Sequence, residues 1–224
     1  MASAVRKPDE QISEDAYFEL EKRTDTRHEY IDGYVYAMVG GSFNHSRITR
    51  NVARAMEIHL KGRSCEVFSE STKVKIPLAY GSESRYLYPD VVVDCSIEKA
   101  EGHMLTTPVI VVEVLSKSTH YSDKVTKRHI YQQIPTLQEY VLIEQDVVEV
   151  VVRRRRSNWN AEEFFLGDSV TFEHIGLTLT VEEIYDRIDN EEMIEWLARK
   201  AREATEAEGR SEAALPPMQT PKQD

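Results

Sequence analysis

Apolar and polar positions alternate along this chain with several different periods. Residues 13–23 read as a short helix, with Ser13 as its cap and Glu14 and Asp15 at the positive end of its dipole. Residues 29–39 read as two short strands around Asp32-Gly33, a hairpin-type turn signal. A Gly-Gly-Ser break follows. Residues 43–61 then carry Ile48, Val52, Met56 and Leu60 at helical spacing, with Gly62 as a stop.

The middle of the chain is rich in β-branched residues. Strands are expected at 65–68, 72–76, 88–93 and 109–115. Val91-Val92-Val93 and the run 109–112 are continuously apolar, as in central strands covered on both faces. A helix is expected at 121–133, and strands at 140–143, 147–152, 163–166 and 169–172. Residues 181–188 read as a closing helix. Residues 190–207 read as an amphipathic helix with Met193, Trp196, Leu197 and Ala201 on one face. The order of elements predicts an α/β domain with a mixed central sheet flanked by helices. It divides the chain into a flexible N-terminus (1–12), one domain (13–189), the amphipathic helix (190–208) and a disordered tail (209–224).

Composition narrows the function only a little. No apolar run has the roughly 20 residues of a membrane helix, and the polar N-terminus lacks a signal-peptide core, so a cytoplasmic location is expected. The two cysteines, Cys65 and Cys95, are not expected to be bonded in a reducing compartment, and without a CxxC pair a cysteine zinc site is improbable. The net charge of −11 argues against a protein that coats nucleic acid. Cations are nevertheless grouped. Arg47, Arg50 and Arg54 are spaced for one helical face; Lys117, Lys124, Lys127 and Arg128 cluster; residues 153–156 are all arginine. That last run reads either as a phosphate contact or, more plainly, as a solvated loop. No P-loop, GxGxxG, GxSxG or HExxH sequence occurs.

The segment from 88 to 131 carries the chemistry. Tyr88-Pro89-Asp90 opens one apolar strand, and Glu113 sits deep in another. A carboxylate in such a run requires compensation, because an unpaired buried charge is costly. Two carboxylates on neighbouring strands at a sheet edge are a common way to hold Mg²⁺ at ~2.1 Å, with water and phosphate completing the shell. The alternative is that Asp90 caps a turn and Glu113 pairs with an arginine.

Pro89-Asp90 followed by a strand bearing Glu113 resembles the PD-(D/E)XK nuclease signature. More narrowly, His28-Glu29-Tyr30-Ile31-Asp32-Gly33, His45, Tyr88-Pro89-Asp90-Val91, Glu113-Val114-Leu115-Ser116, Ser118-Thr119, the segment 123–127 and Tyr131 resemble the Uma-two family of restriction-endonuclease-like proteins. The likeness spans about residues 16–187. It implies a mixed sheet flanked by helices and Mg²⁺-dependent phosphodiester hydrolysis, with Mn²⁺ as a substitute ion and nucleic acid, DNA first, as partner. A homodimer is expected from the apolar face of the 190–207 helix and from the paired sites that duplex cleavage uses.

One position departs from the general pattern. The lysine expected two residues after the glutamate is Leu115. Lys127, favoured by the resemblance, and Lys117, four after Glu113, are the two candidates to replace it. Lys127 could equally be a solvated lysine paired with Asp123, and as a helix-face residue its removal is expected to leave folding intact. Glu29 is a further candidate, as a metal ligand or in a surface ion pair with Arg27 or Lys22. His45 is an accessory candidate or a structural histidine; Asp32 reads as a turn former. The catalytic set expected is thus Asp90, Glu113, Lys127 and Glu29, with Asp90 and Glu113 on the metal. A fold retained for binding or assembly, and a hydrolase of another phosphoester, are the rival readings.

Overall fold

The computed structural model describes residues 10–38, 40–69, 71–78, 84–97, 104–116 and 122–213. It divides into two compact units, residues 1–188 and 189–224.

The first unit begins with α1 (Glu14–Arg23), capped by the Ser13 side chain. Strands β1 (His28–Ile31) and β2 (Tyr34–Ala37) form a hairpin in which Ile31 faces Tyr34. Asp32 and Gly33 fill its two-residue turn with φ of 52° and 87°, the left-handed pair such a turn requires. Gln11 and Ile12 bond to Asp32 and Gly33, so residues just before α1 are anchored rather than loose. Helix α2 (Phe43–Leu60) starts at Ser42, whose side chain accepts the His45 N–H, and buries Ile48, Val52, Met56 and Leu60 as their spacing predicts.

The mixed sheet that the sequence predicts is present, and among the described residues two further sheets accompany it, three in all. The first is β2-β1-β5-β4-β7, adding β4 (Lys73–Pro77), β5 (Ser84–Leu87) and β7 (Met104–Leu105). The second is six-stranded and mixed. Its order is β11-β10-β9-β8-β6-β3, from β3 (Glu66–Ser69), β6 (Val91–Asp94), β8 (Pro108–Leu115), β9 (Glu139–Glu144), β10 (Val150–Arg154) and β11 (Ala161–Phe164). Only its β8–β9 pair is parallel. The third is the hairpin β12 (Ser169–Phe172) and β13 (Leu177–Thr180), followed by α4 (Val181–Ile184) with a full capping box at Thr180.

Every residue of β8 is buried, as the apolar run predicts. Between β8 and β9 the chain forms a π-helical turn, Ser122–Lys127, running into α3 (Arg128–Tyr131). The expected single helix is therefore a wide turn and a short α segment. Leu115, Val111, Ile130, Tyr131, Ile134 and Tyr140 share one apolar cluster, so this connection packs on the face of β8 that bears Leu115.

The arginine run is packed at Arg154, half-buried at Arg153 and Arg155, and exposed only at Arg156. Arg154, on β10, is buried against Glu139 (3.2 Å) and Glu162 (2.5 Å). Arg155 donates to the carbonyls of Leu137 and Ile134, Arg153 to that of Trp159, and Arg156 forks onto Glu173. All four guanidiniums tie β9, β10 and the segments after them together.

The second unit is α5 (Glu191–Ala213), which continues past Gly209, where the sequence suggested a tail; residues 214–224 lie outside the described residues. Among the described residues no helix is long and apolar enough to cross a membrane.

The cysteines correct a further expectation. Glu66 faces Asp94 in the β3–β6 ladder, so Cys65 and Cys95 face each other one step beyond, and they form a disulfide. Its sequence separation is 30, for which chain-entropy arguments give about 3–4 kcal/mol of stabilisation. Protein purified without reductant is expected to show no free thiol on titration. Reduction is expected to lower the urea-unfolding free energy by about 2–4 kcal/mol. Two free thiols, with no change on adding reductant, would remove the cross-link from the native structure.

Candidate active site

The β6–β8 ladder decides where the two carboxylates fall. Val91 faces Val112 across the antiparallel pair, so Asp90 and Glu113 are the next facing positions and project from the same side. Their burial is deep: 9 % of Asp90 and 3 % of Glu113 is exposed. Asp90 stands where β6 begins, after Tyr88-Pro89, and its Oδ2 accepts the backbone N–H of Val114 at 2.6 Å. That bond crosses the ladder and holds the carboxylate beside Glu113.

Lys127 reaches this point from the far end of the π-helical turn. Its Nζ lies 2.9 Å from Glu29 Oε1 and 3.5 Å from Glu113 Oε1. Tyr131, four residues on, donates its hydroxyl to the same Glu113 Oε1 at 2.9 Å. Burial, and then the neighbouring charges of Glu113 and Glu29, push the Tyr131 hydroxyl well above its ordinary value, so it remains a donor. Leu115 is 1 % exposed and belongs to the core beneath α3. The place of a strand lysine is thus filled by apolar packing, and the ammonium arrives from the helix laid over it. Lys117 lies outside the described residues.

Glu29, on β1, joins the group from the other sheet. Besides the Lys127 ammonium it accepts the Tyr88 N–H at 3.3 Å. It is buried, not a surface partner of Arg27 or Lys22, and Lys22 pairs with Glu19 instead. His45, on the first turn of α2, places Nε2 3.2 Å from Asp90 Oδ2. Gly41 lies so close behind the ring that a Cβ there would be 2.7 Å from His45 Nδ1; the absent side chain leaves room for the imidazole. Asp32 keeps its turn and accepts from Arg85 Nε at 2.7 Å, away from this cluster.

A second polar cluster supports the first. The Glu21 carboxylate accepts from Tyr88 OH (2.8 Å), Lys73 Nζ (3.2 Å) and the His28 N–H (3.0 Å). Burial works to raise that carboxyl, but hydrogen bonds from Tyr88, His28 and Lys73 outweigh it and hold it below its ordinary value. Lys73 is ringed by Tyr17, Phe18, Tyr86 and Tyr88 at 4.7–5.8 Å from their centroids. Through both its side chain and its N–H, Tyr88 links this cage to Glu29 and to the Pro89-Asp90 step. Sequence reasoning missed Glu21 and the role of Tyr131. The four-residue spacing of Lys127 and Tyr131 on a helix was the available signal for the latter.

The charges bear on metal binding. Glu29, Asp90 and Glu113 supply three carboxylates, against one ammonium and one imidazole. Such a group in a buried cleft favours an added cation. Among the described residues no three His, Cys, Asp or Glu side chains are gathered so as to hold a metal by themselves. Asp90 and Glu113 are the two carboxylates that could share an ion, and one that accepts water and substrate oxygens for its remaining positions, such as Mg²⁺, would suit so small a donor set.

Comparison with known proteins bears on the family and the fold. A family profile described as "Uma2: Putative restriction endonuclease" matches residues 14–182. The chain belongs to the Uma2 family. Two uncharacterized proteins of Synechocystis sp. are related to it. One is 33% identical over 188 residues, covering 83% of this chain and 97% of the relative; the other is 36% identical over 132 residues, covering 58% and 72%. A crystal structure described as a "putative nuclease belonging to DUF820" from Anabaena variabilis superposes with a TM-score of 0.60 at 22% identity, covering 72% of this chain and 91% of that one. That likeness establishes a nuclease-like fold for this Uma2 member.

The burial of Lys127 changes what its removal does. Its side chain sits between two buried carboxylates, so Lys127→Ala leaves both without their ammonium. The substitution is expected to cost about 3–5 kcal/mol in urea unfolding, against the small cost of removing a surface lysine. A double cycle with Glu29→Gln is expected to return part of that loss. A change under about 0.5 kcal/mol would mean the ammonium is solvated and the ion pairs carry no weight.

Proposed function

We propose that this protein is a metal-dependent endonuclease that hydrolyses phosphodiester bonds, with DNA as its substrate. The observation that carries the reading is the pairing of Asp90 with Glu113 across β6–β8, with the Lys127 ammonium 3.5 Å from Glu113. Asp90 and Glu113 bind Mg²⁺, for which Mn²⁺ substitutes. The bound ion supplies a water of lowered pKa and neutralises charge on the leaving oxygen. Lys127 steadies negative charge on the phosphate, Glu29 holds Lys127 in place, and His45 orients Asp90. Tyr131 donates to Glu113 Oε1 and so fixes the orientation of that carboxylate.

A second reading has its own observation. The Lys127 ammonium already answers Glu29 and Glu113, which suits a fold kept for binding or assembly without catalysis. Cleavage separates the two. Plasmid and single-stranded DNA are expected to be cut with Mg²⁺ or Mn²⁺ and left intact in EDTA. Asp90→Asn and Glu113→Gln are each expected to lower the rate about a hundredfold or more. Lys127→Ala, compared at a temperature where it is folded, is expected to do the same while still binding Mn²⁺. If the parent cuts no nucleic acid with either ion, the binding reading replaces this one.

We further propose that the active form is a homodimer joined through the apolar face of α5, which presents two sites to a duplex. Truncation after Ile188 is expected to convert a dimer to a monomer in sedimentation velocity. An unchanged sedimentation coefficient per protomer mass would exclude α5 from the contact.

A further inference from the structure

Beside the paired carboxylates a groove of about 270 Å³ runs along α2, lined by Ser46, Thr49, Arg50, Ala53, Arg54 and Glu57 and closed on its other side by Ser69 of β3. Its near end meets the candidate active site twice. Ser46 follows His45, whose ring contacts Asp90. Ser69 pairs with Val91, the residue after Asp90. The groove therefore lies on the α2 side of β6, opposite the face of Asp90 and Glu113, and its near end approaches Asp90 past His45 where β6 begins.

The groove is cationic in a chain that is not. The net charge is −11; Arg153, Arg154 and Arg155 are engaged internally, and the exposed Arg156 is paired with Glu173. Arg50 and Arg54 are instead exposed, and neither guanidinium joins an ion pair among the described residues. They are one helical turn apart, about 6 Å along the axis. Between them and the sheet lies Thr49, 4 % exposed, whose Oγ1 has no hydrogen-bond partner among the described residues. Ser46 and Ser69 add accessible hydroxyls to the groove wall beside the two guanidiniums. Phe43, at the start of α2, is 86% exposed and lies within about 60° of Arg47, Arg50 and Arg54 around the helix axis. At the far end Glu57 repels anions and sets the limit of the cationic stretch.

We propose that this groove is the track for the sugar–phosphate backbone of the nucleic-acid strand leading away from the scissile bond. Arg50 and Arg54 fork onto successive phosphates. Ser46 and Ser69 hydrogen-bond the same backbone, and Phe43 stacks on a base where the strand nears the site. This inference rests on the reading of the site as a nuclease. It adds which surface carries the substrate and in which direction the strand runs, along α2 and not over the arginine-rich end of β10.

Binding is measured separately from cutting, with the full chain in EDTA. The probes are fluorescein-labelled single-stranded DNA, duplex DNA and RNA of one sequence, followed by anisotropy from low to moderate salt. The double variant Arg50→Ala with Arg54→Ala is expected to bind DNA about tenfold or more weakly, and to flatten the slope of log K against log salt by about 1.5–2. Arg187→Ala, an exposed arginine elsewhere, is expected to bind like the parent. Phe43→Ala is expected to weaken single-stranded more than duplex binding. Circular dichroism melts check folding, and the single variants Arg50→Gln and Arg54→Gln repeat the measurement if the double variant melts early.

Unchanged affinity and salt slope would overturn the track, as would an equal effect from Arg187→Ala or a parent that binds none of the three probes. A preference for RNA, lost in the double variant, would keep the track and change the substrate. The nuclease reading fails differently: the parent binds through Arg50 and Arg54 yet cuts nothing with Mg²⁺ or Mn²⁺.

Discussion

The antiparallel pairing of β6 with β8 is the constraint on which the site depends. It fixes Asp90 and Glu113 as neighbours to within the tolerance of a backbone ladder, with no long side chain or loop to position them. Both strands are apolar for most of their length, so the pairing is enforced by the core on both sides. The Val114 N–H that binds Asp90 belongs to that same backbone. A one-residue slip would send one carboxylate to the opposite face of a strand that is buried along its whole length, away from its partners. Register and site geometry are therefore selected together.

Carboxylates gathered this way must be compensated, and much of the surrounding sequence is explained by that need. Lys127 comes in from the connection after β8, Tyr131 donates to Glu113, His45 approaches Asp90 from α2, and Glu29 crosses from the other sheet. Behind them, Tyr88 is held by Glu21 and joins three other aromatic rings around Lys73. Each partner belongs to a different element, so the polar cluster also fastens the five-stranded sheet and α2 to the six-stranded one.

Asp90 and Glu113 were legible in the sequence because each is a carboxylate placed where an apolar strand should not have one. The helices and most strands were legible for the same kind of reason: their periods are local. The division of strands among three sheets was not, since β1 pairs with β5 across more than fifty residues. The arginines at 153–156 looked like a basic patch because charge alone does not say whether a guanidinium faces water or the carbonyls of Ile134 and Leu137. Cys65 and Cys95 looked unrelated because only the β3–β6 register brings them face to face. Lys127 was found, but its burial was not, since the Glu29 that covers it is nearly a hundred residues away.

The π-helical turn before α3 has a consequence for how the site fails. Its i→i+5 bonds are rarer and weaker than those of an α-helix, and the turn is six residues long. The carboxylates, by contrast, are set in the most buried ladder of the protein. Ammonium and carboxylates thus belong to segments with different opening free energies, as hydrogen exchange resolves them. Were that turn to open ahead of the sheet, Glu29, Asp90 and Glu113 would face one another without their ammonium, and the cleft's demand for a cation would rise.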